Sequence, residues 1–275
     1  MRHQPSCTAE YWIGKGMNRM SGKFLQHMTW EEYENEDKDA LVILLPVGST
    51  EQHGAHLPLG TDTIVAIELA EAASGRTGAV VAPPLWFGWS PHHMVLPGTV
   101  TIRPEILSEV IYDVMESLAE HGARNFVIVN GHRVVNIPWM QMAGAKARQN
   151  LGVRVAIFDP AYMSKEIVDS LGFGPIGHAD ETESSHLWYC RPDLYYADRV
   201  NDYVPTPRSL YSVDPRFPGD TLCYVPSTIE EMNPSVEAAK GTTGTPSRAS
   251  REKGERYHEH LVQRLVAVIR SLRQE

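Results

Sequence analysis

A cluster of histidine and acidic residues follows one of the apolar segments of this chain directly. Glu51, His53 and Asp62 lie within the run Gly48-Ser-Thr-Glu-Gln-His-Gly-Ala-His-Leu-Pro-Leu-Gly-Thr-Asp62. Carboxylate oxygens and imidazole nitrogens are ligands that Zn²⁺ and Mn²⁺ prefer. Glycine and proline between these residues allow the loop to fold back, so the three side chains can converge on a cation. The alternative is a polar loop that caps the next helix, with Asp62 as the N-cap residue.

Two further segments carry candidate chemistry after apolar runs. His132 closes the sequence Asn-Gly-His directly after Phe126–Val129. His178 and Glu183 lie in Gly177-His-Ala-Asp-Glu-Thr-Glu-Ser-Ser185, whose carboxylates repel one another unless cations or solvent compensate them. The alternatives are a turn beside a helix start and an acidic, solvated first turn of a helix, which the helix macrodipole favours.

A fourth group is aromatic and follows the apolar segment 79–83. It contains Trp86, Trp89, His92 and His93. Trp89 and His93 are candidates for substrate contact, with packing in the core as the alternative. Four loops that follow apolar segments thus each carry ligand or acid–base residues. This coincidence favours one shared metal site.

The elements that must position these groups alternate along the chain. Short apolar segments at 41–45, 78–81, 126–129 and 153–158 are typical of strands that are covered on both faces. Helical patterns follow Asp62, run from Pro104 towards Gly122 with an apolar stripe that includes Ile106 and Val110, and close the chain over 250–272. The alternation predicts βαβ units and an α/β fold with a mostly parallel sheet flanked by helices. In such sheets ligands bind beyond the carboxyl ends of the strands, where the candidate groups lie.

The sequence predicts one domain over 21–275, preceded by a loose extension over 1–20. The proline-rich stretch 191–246 is predicted to run over the surface. The chain of 275 residues has 25 Lys and Arg against 34 Asp and Glu, a formal charge of −9, which argues against a nucleic-acid partner. No apolar run approaches the ~20 residues of a membrane span. Three scattered cysteines and an N-terminus without an apolar segment favour a cytoplasmic location.

These motifs, taken together and in order, resemble the creatininase family. The resemblance rests on Pro46-Val-Gly-Ser-Thr-Glu-Gln-His-Gly with the following His-Leu-Pro-Leu-Gly-Thr-Asp62, and on later blocks at Pro97-Gly-Thr99, Asn130-Gly-His132, Gly177–Ser185 and Ala249-Ser-Arg-Glu-Lys-Gly254. It covers roughly Thr29 to the C-terminus. The resemblance implies a creatininase-like fold, two divalent ions per chain (zinc, manganese or both) and a homohexamer.

Residue by residue, the resemblance implies that Glu51 and His132 hold one metal and His53 the other, while Asp62 bridges the two. Glu183 is the choice for the remaining carboxylate ligand and has a catalytic role. Two cations that share a water lower its pKa towards neutrality and supply hydroxide at pH 7. His178 is the candidate that passes the proton to the leaving group.

The chain departs from the family beside His132. Arg133-Val-Val135 replaces a glycine pair, and the Tyr and Glu that follow this histidine in creatininase are absent. Arg133 would offer a fork of donors to an oxygen-rich substrate, together with Trp89 and His93. The sequence therefore favours C–C hydrolysis of an oxidised inositol, such as 3-dehydro-scyllo-inosose. The alternatives are C–N hydrolysis of a cyclic amide or formamide and, in another class, a non-catalytic binding or maturation protein.

Overall fold

The computed structural model describes residues 21–204 and 236–274. The predicted extension over 1–20 and the middle of the predicted surface excursion, 205–235, lie outside the described residues. The remainder of the excursion contains the short 3₁₀ helices Pro192–Leu194, Ala197–Arg199 and Pro246–Arg248.

The described residues form a sheet of five parallel strands in the order β1-β3-β2-β4-β5. The strands are β1 (Lys23–Phe24), β2 (Val42–Val47), β3 (Val80–Val81), β4 (Asn125–Asn130) and β5 (Arg154–Phe158). Val42 pairs with Asn125 and Val47 with Asn130, so β2 and β4 run in register to the same edge. The parallel α/β architecture predicted from the alternating segments is confirmed.

The described helices connect and cover these strands. They are α1 (Trp30–Glu34), α2 (Thr61–Thr77), α3 (Pro104–Glu120), α4 (Ile137–Leu151), α5 (Pro160–Met163), α6 (Lys165–Ser170), α7 (Glu181–Cys190), α8 (Val236–Ala239) and α9 (Arg251–Gln274). Among them, none combines the length and the apolar character that crossing a bilayer requires.

Alternate residues of the central strands enter two different cores, one on each face of the sheet. Val42 and Leu44 of β2 pack with α2 and α9, whereas Ile43 and Leu45 pack with α3 and α4. Because successive side chains of a strand point to opposite faces, a strand covered on both sides must be apolar throughout. This requirement explains why β2 and the segment 126–129 of β4 are uninterrupted apolar runs.

The predicted apolar stripe of α3 is only partly buried. Leu107, Ile111 and Met115, one residue in every four, face the core, whereas Ile106 and Val110 are about 40% exposed. A residue that precedes each core position by one lies about 100° around the helix axis, because an α-helix has 3.6 residues per turn. The prediction that Ile106 and Val110 belong to the buried stripe is therefore wrong.

The topology opens a crevice at the carboxyl ends of β2 and β4. From β2 the chain passes through α2 on one face to β3, and from β3 it passes through α3 on the other face to β4. The first connection runs towards one edge of the sheet, and the second crosses back over β2 towards the other edge. Such a switch point is where open parallel sheets bind their ligands.

Candidate metal centre

Two loops and two helix starts deliver the candidate ligands to this crevice. Glu51 and His53 follow β2, and His132 is the second residue after β4. Asp62 and Glu183 lie in the first turns of α2 and α7, where a negative charge is favourable. Asp62 is not the N-cap of α2, because Gly60 occupies that position. The alternative of a merely capping loop is therefore wrong for this residue.

Gly131 allows the loop after β4 to reach the start of α2. A Cβ at this position would lie 1.9 Å from the carbonyl oxygen of Asp62, a backbone atom that cannot give way. Only glycine therefore lets the two backbones approach so closely. Its neighbour His132 is carried directly against the Asp62 carboxylate by this contact.

The two carboxylate oxygens of Asp62 face two different histidines. Oδ2 lies 3.0 Å from His132 Nδ1, which is itself 3.3 Å from Glu51 Oε2. Oδ1 lies 3.0 Å from His53 Nε2, which is 3.9 Å from Glu183 Oε2. Besides a group of Glu51, His53 and His178, the donors form two groups, Glu51–Asp62–His132 and His53–Asp62–Glu183, and in each group the ligand atoms lie within 4.8 Å of one another. Asp62 belongs to both groups.

Hydrogen bonds on the far side of each ring leave the nearer nitrogen to act as a ligand. Nδ1 of His53 donates to the Glu51 carbonyl at 3.1 Å, so Nε2 faces Asp62. Ser90 Oγ donates to Glu51 Oε2 at 2.5 Å and lies 3.3 Å from His132 Nε2, so it is an acceptor for that nitrogen. Such outer contacts are typical of metal-binding histidines, because they select the ring tautomer.

The buried charges of the centre are those that a cation would balance. Glu51 Oε1 and Asp62 Oδ2 accept no well-aligned hydrogen bond from the described residues. Burial by itself would lower the pKa of His53, but the Asp62 carboxylate raises it, to about 9. Burial also opposes a charge on His132, yet Glu51 and Asp62 hold its pKa well above the usual value. Without a bound metal, the protonated rings of His53 and His132 therefore supply the positive charge that balances the carboxylates. Two divalent cations would supply the same charge, so the residues fit a pair of such ions.

His178 lies at the open side of the centre beside His93. Its Nε2 donates to the Gln52 carbonyl at 2.5 Å, and its Nδ1 lies 3.6 Å from Glu51 Oε1. The two rings stack with centroids 3.8 Å apart. Burial and the nearby His53 lower the pKa of His178 to about 3, so the ring is neutral and Nδ1 carries a lone pair.

The fourth predicted group divides between the centre and the core. His93 Nε2 lies 3.4 Å from Glu51 Oε1, and Gln52 Nε2 contacts its Nδ1 at 3.0 Å. Trp89 is half-buried against the core on the α3 side of the sheet. Substrate contact by His93 and Trp89 stays a prediction. Gln52 and Ser90 were not singled out from the sequence, although both lie inside loops that were.

Arg133 is buried rather than solvent-exposed. Nη2 lies 2.5 Å from Glu183 Oε1 and 3.1 Å from Asp180 Oδ2, and it donates to the Gly177 carbonyl at 3.1 Å. Its side chain is 7% exposed. The guanidinium thus compensates two carboxylates of the α7 start, while Asp180 caps that helix by accepting from the Glu183 amide. Its role in substrate binding stays a prediction.

The chain combines a parallel α/β sheet with carboxylate–histidine groups at its switch point, an arrangement able to hold divalent ions. The family model for creatininase, described as creatinine amidohydrolase, matches residues 26–269. The chain belongs to the creatininase family.

Named relatives act on different substrates. The chain is 29% identical over 265 residues to a creatinine amidohydrolase of Pseudomonas putida. This match covers 90% of this chain and 96% of the relative. It is 37% identical over 197 residues to a 3-dehydro-scyllo-inosose hydrolase of Thermotoga maritima. This match covers 69% of this chain and 63% of the relative.

Solved creatininases share the fold and include forms with different metals. A mutant creatininase described as Zn–Zn type is 28% identical, with a TM-score of 0.72 over 91% of this chain and 98% of that chain. A creatininase described as the Mn form has a TM-score of 0.70 at 28% identity, over the same shares of the two chains. In this chain the buried groups around Asp62 are able to bind such ions.

Proposed function

We propose that this protein hydrolyses a small cyclic carbonyl compound at a pair of divalent ions held across Asp62. The observation that carries the proposal is the division of the Asp62 carboxylate between His53 and His132. When bound, two ions at these groups would lower the pKa of a water between them and polarise a substrate carbonyl. Glu51 and His132 would hold one ion, and His53 and Glu183 the other.

His178 has the geometry of a proton carrier at this centre. Since Nε2 donates to the Gln52 carbonyl, the ring is fixed in the tautomer whose Nδ1 accepts a proton. Nδ1 points towards Glu51 and therefore towards the ion groups. With a pKa of about 3, the protonated ring gives up its proton readily, so Nδ1 is better suited to pass a proton to the leaving group than to hold one.

The residues around Glu51 orient that carboxylate for its role. Ser90 donates to Oε2, while His93 lies beside Oε1. Burial by itself would raise the pKa of Glu51, but His132 and His93 hold it well below the usual value. Glu51 is therefore ionised at neutral pH and remains available as a ligand.

For the substrate, we favour an oxidised inositol that is opened by C–C hydrolysis. Support comes from the 37% identity to a 3-dehydro-scyllo-inosose hydrolase and from Arg133, whose Nη1 donates to no described residue. A guanidinium donor that remains available suits a ring rich in oxygen atoms. C–N hydrolysis of a creatinine-like ring is the second candidate, because the creatinine amidohydrolase match extends over 90% of this chain.

Metal content of four variants tests the centre. Asp62→Asn should lose both ions, because Asp62 serves both groups. Glu51→Gln and Glu183→Gln should each lose mainly one. Glu181→Gln is the matched control, since Glu181 is a buried neighbour that pairs with Lys253 outside both groups, and it should keep both ions. Full occupancy in Asp62→Asn, measured by elemental analysis, would refute the shared-ligand arrangement.

Turnover of chosen substrates tests the reaction. The metal-loaded enzyme is incubated with 3-dehydro-scyllo-inosose and, separately, with creatinine, and the ring-opened products are quantified by mass spectrometry. Preferential opening of the inosose supports the C–C assignment, whereas preferential opening of creatinine overturns it in favour of C–N hydrolysis. Two bound ions with turnover of neither would contradict the proposed substrate class and favour a non-catalytic binding protein.

A further inference from the structure

A second group of metal-binding side chains lies between α7 and α9, outside the two groups around Asp62. His186 and Cys190 are four residues apart on α7 and therefore share one face of that helix. His258 faces them from α9. All three side chains are buried, with exposed fractions of 3%, 6% and 3%.

The three donor atoms of this cluster lie within 4.8 Å of one another, and two of their separations are those expected around a single ion. His186 Nε2 lies 3.0 Å from His258 Nδ1, and Cys190 Sγ lies 3.5 Å from the same nitrogen. A tetrahedral zinc with bonds of about 2.0–2.1 Å to nitrogen and about 2.3 Å to sulfur separates two nitrogens by about 3.3 Å and sulfur from nitrogen by about 3.6 Å. The observed separations are within a few tenths of an ångström of these values. We propose that His186, Cys190 and His258 form a third metal site, for a thiophilic ion such as Zn²⁺ or Cu⁺.

The backbone holds the two helices close enough for this arrangement. A Cβ at Gly254 of α9 would lie 1.9 Å from the carbonyl oxygen of Ser185, so only glycine permits the contact. Ser185 precedes His186, and one turn after Gly254 comes His258. The close approach therefore places the three donors together without requiring an ion to pull them into position.

The charges around the cluster also suit a cation with a thiolate. Burial and the neighbouring His258 hold the pKa of His186 well below its usual value, so its ring is in the neutral form that binds metals. The nearby Arg133 does not oppose a cation with its full charge, because Asp180 and Glu183 already neutralise it. Binding would form two metal–nitrogen bonds and one metal–sulfur bond and release the thiol proton to solvent.

The competing interpretation is a hydrogen-bonded contact that only packs α7 against α9. One ring N–H would then donate to the other ring, and the thiol would add a weak contact to His258. Both interpretations use the same distances. They differ in whether sulfur becomes bonded to a metal, which is a spectroscopic question.

Cobalt loading of the full-length protein decides between them. Co²⁺ bound by a thiolate absorbs in the near ultraviolet through sulfur-to-metal charge transfer, whereas the groups around Asp62 contain no sulfur and cannot give this band. Wild-type protein, stripped with a chelator and reloaded with Co²⁺, should show the band and about one ion per chain beyond the two around Asp62. Cys190→Ser and His258→Gln should lose that ion and lose or weaken the band.

The other two cysteines provide the matched control. A protein with both Cys7→Ser and Cys223→Ser keeps Cys190 as its single cysteine and should retain the full band. Turnover by Cys190→Ser loaded with two ions should stay within about twofold of wild type, since Cys190 contacts neither group around Asp62. Parallel titrations with Zn²⁺ and Cu⁺, followed by native mass spectrometry, identify which ion is preferred.

Either of two results would overturn the third site. The first is a wild-type protein that shows no band and binds no more than about two ions per chain. The second is a band of equal intensity in Cys190→Ser, which would mean that another group binds the cobalt. Because the wild-type spectrum is itself decisive, poor folding of a variant does not remove the test.

Discussion

Removal of the Arg133 guanidinium leaves two buried carboxylates without their cation. Nη2 contacts both Glu183 and Asp180, and the arginine side chain is 7% exposed. Breaking a buried ion pair by deleting one partner typically destabilises a protein by about 3–5 kcal/mol, because the other charge stays buried. We expect Arg133→Ala to lose free energy of unfolding in this range when the protein is metal-free.

The loss should depend on pH in a direction set by Glu183. Burial raises the pKa of Glu183 to about 7, although Arg133 opposes this rise. Without Arg133 the pKa rises further, so Glu183 escapes the cost of a buried charge by taking up a proton at low pH. The deficit relative to wild type is therefore smaller at pH 6 and grows as the pH rises to 8. An ion bound at Glu183 would also reduce the deficit.

Urea and thermal unfolding of metal-free protein at pH 6 and pH 8 measure this effect. For a domain of this size, each kcal/mol shifts the Tm by roughly 2–4 °C, so Arg133→Ala should melt about 6–20 °C below wild type. Arg133→Lys, which keeps the charge but not the planar fork, should fall between the two.

The matched control is the exposed pair between Arg76 and Glu259. It has the same bidentate chemistry at 2.8 Å and 2.6 Å, but both side chains are 43% exposed. Exposed pairs contribute about 0.2–1 kcal/mol, so Arg76→Ala should be nearly silent. A loss in Arg133→Ala no larger than in Arg76→Ala would refute the view that Arg133 compensates buried carboxylates.

Four other predictions follow from particular contacts. Binding of two ions at the groups around Asp62 at pH 7 should release about two protons from His53 and His132, because the pKa of His53 is raised to about 9 and that of His132 well above its usual value. Glu183, whose pKa is about 7, should add about half a proton. The release should decline above pH 9, and a binding enthalpy that does not change with the buffer in calorimetry would contradict it. Val134→Gly should raise the free energy of unfolding, measured by urea denaturation, by about 1 kcal/mol, because Val134 has φ +66°. Val135→Gly, at a neighbouring buried valine without a positive φ, should lower it. Gly254→Ala should destabilise the fold by about 3 kcal/mol, because the added Cβ would clash with the Ser185 carbonyl. The control is Gly144→Ala, since a Cβ at this helical glycine would meet a movable Val155 methyl at 3.3 Å. This control should be neutral or stabilising. The family resemblance predicts a hexamer. Light scattering at micromolar concentration measures the molar mass, and the mass of a monomer would contradict this prediction.

The central strands and the ligand types were readable from local sequence. A strand covered on both faces needs an uninterrupted apolar run, so β2 and β4 could be predicted without any partner in view. Glu51, His53, Asp62 and His132 were candidates because their side chains bind divalent ions and their loops follow such strands. The order of helices and strands then placed them at one edge of one sheet.

The pairing of these side chains was decided by tertiary contacts. Periodicity predicts which residues favour burial, but it does not predict which two segments of the chain pack against each other. The division of Asp62 between two histidines depends on the approach of Gly131 to α2, and the burial of Arg133 depends on the α7 start, 44 and 47 residues further along the chain. On α3, the periodicity includes Ile106 and Val110 in the apolar stripe. The helix packs against the core through a narrower face, which leaves both side chains exposed.

The cluster between α7 and α9 shows the same limit most clearly. The three scattered cysteines have no spacing typical of a zinc–thiolate cluster, and spacing reports only donors that are close in sequence. His258 lies 72 residues after His186, and the two meet only because α9 packs against α7 at Gly254. Long-range contacts of this kind depend on how whole helices dock, and local residue patterns carry no record of that docking.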